Sequence, residues 1–165
     1  INRTLIFPFR IRGGKNCAFM PFAMATAFCT VNGYLQCRTL TQYKVYEDAY
    51  IFSPHFLGGV ALWAFGFYTN YQADGILRNL RKPGDKSYHI PRGGMFEYDS
   101  GANILGEILE WCGFALAAGS SVAMCFAVTT ALNIGPRAVQ HHRWYLKKFN
   151  VTYPPERKAL IPFLI

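Results

Sequence analysis

Two charge-free apolar runs constrain this chain more than any other feature. Cys17–Cys37 and Ile51–Asn70 contain no Asp, Glu, Lys or Arg. At about 1.5 Å per residue, a helix of either length crosses a hydrocarbon layer of roughly 30 Å. Composition agrees: apolar residues make up 52% of the 165-residue chain and charged residues 16%, against about 25% charged in soluble domains. The pattern predicts an all-α integral membrane helical bundle forming a single domain over residues 1–165.

A third apolar region, Ile104–Ile134, is too long for one untilted crossing and short for two full ones. Charge distribution decides between them. Basic residues cluster at Arg10–Lys15, Arg78–Arg92 and Arg137–Lys158, each beside an apolar run. Basic segments flanking spans mark the cytosolic side. Two short crossings that turn near Gly119-Ser120-Ser121 put all three clusters on that side, and the nearly charge-balanced Arg38–Tyr50 on the other. Four spans are therefore expected, with a single long tilted helix as the alternative. Residues 137–150 read as an amphipathic helix stopped before Pro154-Pro155. The net charge of +8 does not point to nucleic acid, because the basic residues are not gathered in a continuous, apolar-poor arm. Beginning at Ile1 inside what already reads as structure, the chain is expected to be a fragment with upstream sequence missing.

Several polar groups sit where a membrane protein avoids them. Asn70 and Asp74 share a helix face, which Arg78 and Arg81 extend if the helix continues. They form either a helix end with Asp74 paired to Arg78 or one wall of a binding site. Asn103, Glu107 and Glu110 follow at i, i+4 and i+7. Carboxylates at membrane depth need a partner, a proton or a polar cavity, so a pairing with a neighbouring Arg and a ligand cavity both remain open. Arg137, His141 and Tyr145 recur at i, i+4 and i+8, offering a guanidinium, an imidazole and a phenol to one ligand. That set suits phosphate and ribose groups.

Other chemistries have no support. No GxGxxG follows a strand and no P-loop is present, so a nucleotide would be held by helices and loops. No Ser/His/Asp order or Cys/His pair suggests a nucleophile. His141 and His142 are adjacent, so they diverge by about 100° on a helix, and no metal site is expected. The five cysteines are expected to be buried, reduced packing residues. The Asn150-Val151-Thr152 sequon is expected to go unused on the cytosolic side.

The segments Ile76–Gly84 (ILRNLRKPG) and Tyr88–Tyr98 (YHIPRGGMFEY) resemble the steroid 5α-reductase signature. So do Gly101-Ala102-Asn103, Gly106-Glu107, Glu110–Gly113 (EWCG), His141-His142 and Lys158–Phe163 (KALIPF). The resemblance covers almost the whole chain and is nearest to the type 1 and type 2 animal enzymes. It implies the last four of about seven spans of an endoplasmic reticulum membrane enzyme, with cofactor loops and C-terminus cytosolic. It further implies NADPH as cofactor, contacted by Asn70, Asp74, Arg81, Tyr88, Asn103, Arg137, His141 and Tyr145. Phe28, Glu107 and Glu110 match positions of the substrate and cofactor cavity. The implied reaction is hydride transfer to the β-carbon of a Δ4-3-oxosteroid and protonation at the α-carbon. The Glu and Tyr that polarise the 3-oxo group in the family belong to earlier spans, so no catalytic acid is named within this chain. Gln72 stands where the family has a His, and Thr129 and Asn133 where the type 2 enzyme has pocket aromatics.

The implied partners are a steroid or other lipid enone and membrane lipid, with neither nucleic acid nor metal. Alternatives are a trans-2-enoyl-CoA or polyprenol reductase of the same fold, and a non-catalytic sterol-binding membrane protein. A methyltransferase on a related fold matches the signature poorly.

Overall fold

A computed structural model describes Phe9, residues 17–81, Asp85 and residues 87–164. The Arg10–Lys15 cluster and Lys82-Pro83-Gly84 of the signature lie outside the described residues.

Four long helices follow in chain order: α1 (Phe19–Arg38), α2 (Pro54–Asn79), α3 (Ala102–Ala118) and α4 (Ser121–Phe149). Short helical turns occupy Asp48–Phe52, Gly94–Glu97 and Asn150–Thr152. The described residues contain no strand beyond an isolated parallel bridge between Asp99 and Lys158. The all-helical expectation holds.

Local chemistry sets the boundaries. Ser53 caps α2, its hydroxyl accepting the Phe56 amide at 3.2 Å, and Pro54 follows where a missing N–H costs nothing. α3 ends on Gly119 at φ 53°, the left-handed conformation that glycine tolerates best. Ser120 then caps α4 through the Ala123 amide at 3.4 Å. The long apolar region is therefore two helices, broken where the sequence suggested. Tyr46 and Tyr50 donate to the Ala118 and Ala117 carbonyls at 2.6 and 2.9 Å, satisfying groups left over at the end of α3.

Two features differ from expectation. The amphipathic tail continues α4 through Pro136 without a break; Pro136 and Leu132, whose carbonyl loses its partner, both lie on the exposed side. The cysteines are not buried as a group. Cys17, Cys29, Cys37 and Cys125 are exposed, Cys112 is half-buried, and none is paired. An apolar run specifies a helix, not which side faces protein.

By length and hydropathy, one helix among the described residues qualifies to cross a membrane, Ser121–Thr152. α1 and α2 are also long, but their Thr, Asn, Gln and Tyr residues dilute the apolar character.

α2 and α3 pack more closely than the apolar pattern implies. A Cβ on Gly59 would lie 2.3 Å from the Ala117 amide nitrogen, and one on Gly113 would lie 2.3 Å from that of Trp63. A Cβ on Gly66 would meet the Glu110 nitrogen at 2.4 Å, and one on Gly106 the Asn70 nitrogen at 2.6 Å. These contacts describe one antiparallel seam with its backbones nearly touching, the use that membrane helices make of small residues.

Candidate functional site

The glycine seam brings two of the expected site faces together. It sets Asn70 of α2 directly against Gly106 of α3, between the turns that carry Asn103 and Glu110. Asn70 is 2% exposed, Asp74 is buried, and Glu107 and Glu110 are half-buried. The Asn70 Oδ1 is buried and accepts no hydrogen bond, and the half-buried Arg78 has its Nε buried and unpartnered. Such atoms cost about 1–3 kcal/mol each unless something satisfies them.

α2 runs on to Asn79, so the Asn70/Asp74/Arg78 face is one helical face. Beyond it, the exposed Arg81 holds its guanidinium 4.5 Å from the centre of the Tyr88 ring. Tyr88 meets Trp144 edge-on at 4.9 Å, and Trp144 meets Tyr145 at 5.2 Å. Tyr145 stacks on Tyr153 at 5.4 Å with the rings 10° apart. One chain of contacts thus links the end of α2, the following loop and α4. Arg137, His141 and Tyr145 do lie on one continuous helix. Arg137 reaches Asn133 at 3.5 Å, and its guanidinium and the His141 ring are exposed. Phe28 lies apart on α1, 6.1 Å from Phe126, which in turn is 4.6 Å from Trp111. Gln72 packs on the Gly93-Gly94 turn: a Cβ on Gly94, at φ 55°, would fall 2.3 Å from its Oε1.

Residues that sequence reasoning passed over hold the loop in place. Arg157, which falls in the basic cluster Arg137–Lys158, is 1% exposed. It donates to the Pro91 carbonyl at 2.9 Å and lies 3.4 Å from the Glu97 carboxylate. Glu97 also accepts the Gly93 amide at 2.6 Å; this bond, with the Arg157 charge, holds its carboxyl below the usual range. Asp99 is fully buried, and burial pushes its carboxyl up to about 7 despite the Gly101 amide and Arg157. The Ser100 oxygen meets His142 Nδ1 at 2.6 Å, the Tyr153 hydroxyl at 2.5 Å and the Lys158 carbonyl at 3.1 Å. The one available hint was the position of Arg157 between Pro154-Pro155 and the apolar Ala159–Phe163. In the exposed part of the loop, Asp85 accepts the Ser87 amide at 2.8 Å and pairs with His89 at 2.6 Å. Bonds from Ser87 and then His89 pull its carboxyl well below the usual range.

A cavity of about 740 Å³ lies at the other end of the α2–α3 pair, lined by Lys44, Tyr46, Tyr50, His55, Leu116 and Met124 among others. None of the predicted site residues lines it. Among the described residues no group of three or more His, Cys, Asp or Glu could hold a metal ion.

Residues 15–165 match the family described as 3-oxo-5-alpha-steroid 4-dehydrogenase. The chain belongs to this family. It is 54% identical to 3-oxo-5-alpha-steroid 4-dehydrogenase 1 of Mus musculus over 165 residues, all of this chain and 64% of that protein. The type 1 protein of Homo sapiens is 52% identical over 163 residues, 99% of this chain and 62% of that protein. The human type 2 protein is 47% identical over 163 residues, 99% of this chain and 63% of its own length. The chain thus spans less than two thirds of these family members, and the family resemblance read from the motifs is borne out.

Proposed function

We propose that the complete protein is an NADPH-dependent steroid 5α-reductase that reduces the Δ4 double bond of 3-oxosteroids. Its cofactor-binding half lies in these residues, in the endoplasmic reticulum membrane with the cofactor loops and C-terminus cytosolic. The observation that carries the reading is the chain of contacts from Arg81 through Tyr88 and Trp144 to Tyr145, which joins the basic and aromatic groups at the ends of α2 and α4. Asn70, with its buried unpartnered oxygen, lies further back along α2.

The donor set fits a dinucleotide. Arg81, Arg137 and His141 offer exposed cationic and imidazole donors suited to phosphates. Tyr88 offers an exposed ring and hydroxyl beside them, Tyr145 its hydroxyl, and Asn70 an acceptor for an amide N–H. Asp74, Asn103, Glu107 and Glu110 would order the polar wall beneath. NADPH supplies a hydride when bound. The chain's own task is then to fix the orientation of that donor and to keep water from it, through the close α2–α3 seam. Phe28, with Phe126 behind it, would face the steroid or other lipid enone. The group that polarises the 3-oxo oxygen, where charge develops as hydride arrives, is proposed to be the Glu and Tyr that the family resemblance puts in earlier spans.

The test is turnover by the complete protein in microsomes, supplied in parallel with a Δ4-3-oxosteroid, a trans-2-enoyl-CoA and a polyprenol. Conversion of the steroid alone to its 5α-reduced product with NADPH is expected. Preference for either lipid chain would reassign the substrate, and no turnover of any would leave a sterol-binding role. Arg81→Ala and Arg137→Ala should each weaken NADPH binding about 10–150-fold, the loss of one charge-assisted contact of roughly 1.5–3 kcal/mol. Unchanged cofactor affinity in both would remove them from the site.

A further inference from the structure

We infer that Ser100, His142 and Tyr153 form a positioning latch that sets how α4 presents Arg137, His141 and Tyr145 toward Asn103. The inference rests on the cofactor reading above and adds residues that do not themselves reach the ligand. Three segments distant in sequence meet on one hydroxyl: the lead-in to α3, the last turns of α4 and the C-terminal segment. Ser100 is 4% exposed and Tyr153 3%. A serine hydroxyl has one proton. With that proton given to the Lys158 carbonyl, its oxygen accepts from the Tyr153 O–H and from His142 Nδ1–H.

Each partner leads to a cofactor residue. Ser100 lies three positions before Asn103. His142 adjoins His141, and on the same helix Arg137 and Tyr145 lie within five residues of it. Tyr153 stacks face to face on Tyr145. The backbone adds a second tie: Ser100 N donates to Lys158 O at 2.8 Å, and Lys158 N to Tyr98 O at 3.0 Å. At the same junction a Cβ on Gly101 would lie 2.9 Å from that of Ala138, so α4 has little room to roll. Losing the hydroxyl loosens the turns of α4 beyond the Gly101–Ala138 contact, which shifts the donors of its cofactor stripe without removing any.

The experiment uses the complete protein in membranes and measures NADPH dissociation, the steroid KM and the thermal midpoint. Ser100→Ala, Tyr153→Phe and His142→Leu should each weaken NADPH binding about tenfold, with the steroid KM nearly unchanged. His142→Asn, which keeps an N–H near the Nδ1 position, should restore most of the affinity lost in His142→Leu. A latch that is only structural would lower the thermal midpoint of the folded variants and leave NADPH affinity intact, and that result overturns the proposal. So does a His142→Asn variant that binds NADPH no better than His142→Leu, a comparison that decides the matter even if Ser100→Ala fails to fold. Silent latch variants beside a strong Arg137→Ala effect reject the latch alone. No NADPH binding by the unaltered protein rejects the cofactor reading and the latch with it.

Discussion

α1 and α2 are both long, apolar and free of charge over most of their length, yet they enter the fold in opposite ways. α2 lies backbone to backbone against α3, with Gly59, Gly66, Gly106 and Gly113 each filling a gap that no side chain fits. α1 has no buried residue, and Phe19, Met20, Phe22, Met24, Phe28 and Val31 are all exposed. One polar tie across to α4 is seen, from Gln36 to the Val122 carbonyl at 3.3 Å. Apolar length creates both helices. Close packing, and with it the placement of a site, depends on small residues at matched positions on two helices.

The largest effect is expected where the seam is filled. Gly106→Leu puts a branched side chain where even a Cβ lies 2.6 Å from backbone. Overpacking costs about 1–3 kcal/mol and sometimes more, and here the strain falls beside Asn70. Loss of NADPH binding together with a large fall in thermal midpoint is expected; wild-type binding by this variant would show that the seam is looser than described.

Next comes Arg157→Leu, which strips the Pro91 carbonyl and Glu97 of their buried partner. A destabilisation of about 2–3 kcal/mol is expected, measured by thermal or denaturant unfolding. An unchanged midpoint would mean that the loop is held without it.

Asp99 gives an effect that depends on pH. Its carboxyl is raised from the ordinary 3.8 to about 7 by burial. Between these values the unfolded chain has released the proton and the folded chain keeps it. Stability therefore falls as pH rises from about 4 to about 7 and levels off above. Asp99→Asn should flatten that slope and raise the midpoint at pH 8 by a few degrees. A slope that survives the substitution would assign the titration to another group.

The smallest effect belongs to α1. A Cβ on Gly33 meets nothing within 4 Å, so Gly33→Ala should be neutral or stabilise the helix by about 0.5–1 kcal/mol. Clear destabilisation in the complete protein would show that this face of α1 is tightly packed there, and would erase the contrast with α2.

Much was legible from the residues in order. The positions of the helices followed from apolar runs and their breakers, down to the turn at Gly119-Ser120. Stripes such as Arg137/His141/Tyr145 followed from the helical period, which places residues four apart on one face. The signature motifs led to the family. Tertiary structure alone decided the rest. The antiparallel register of α2 on α3, the burial of Arg157 and the meeting at Ser100 all join residues distant in sequence, those at Ser100 lying 42, 53 and 58 positions away. Periodicity reports only on neighbours along one helix. Nothing local distinguishes a buried arginine from an exposed one, or a glycine in a seam from a glycine facing outward, until a second segment packs against it.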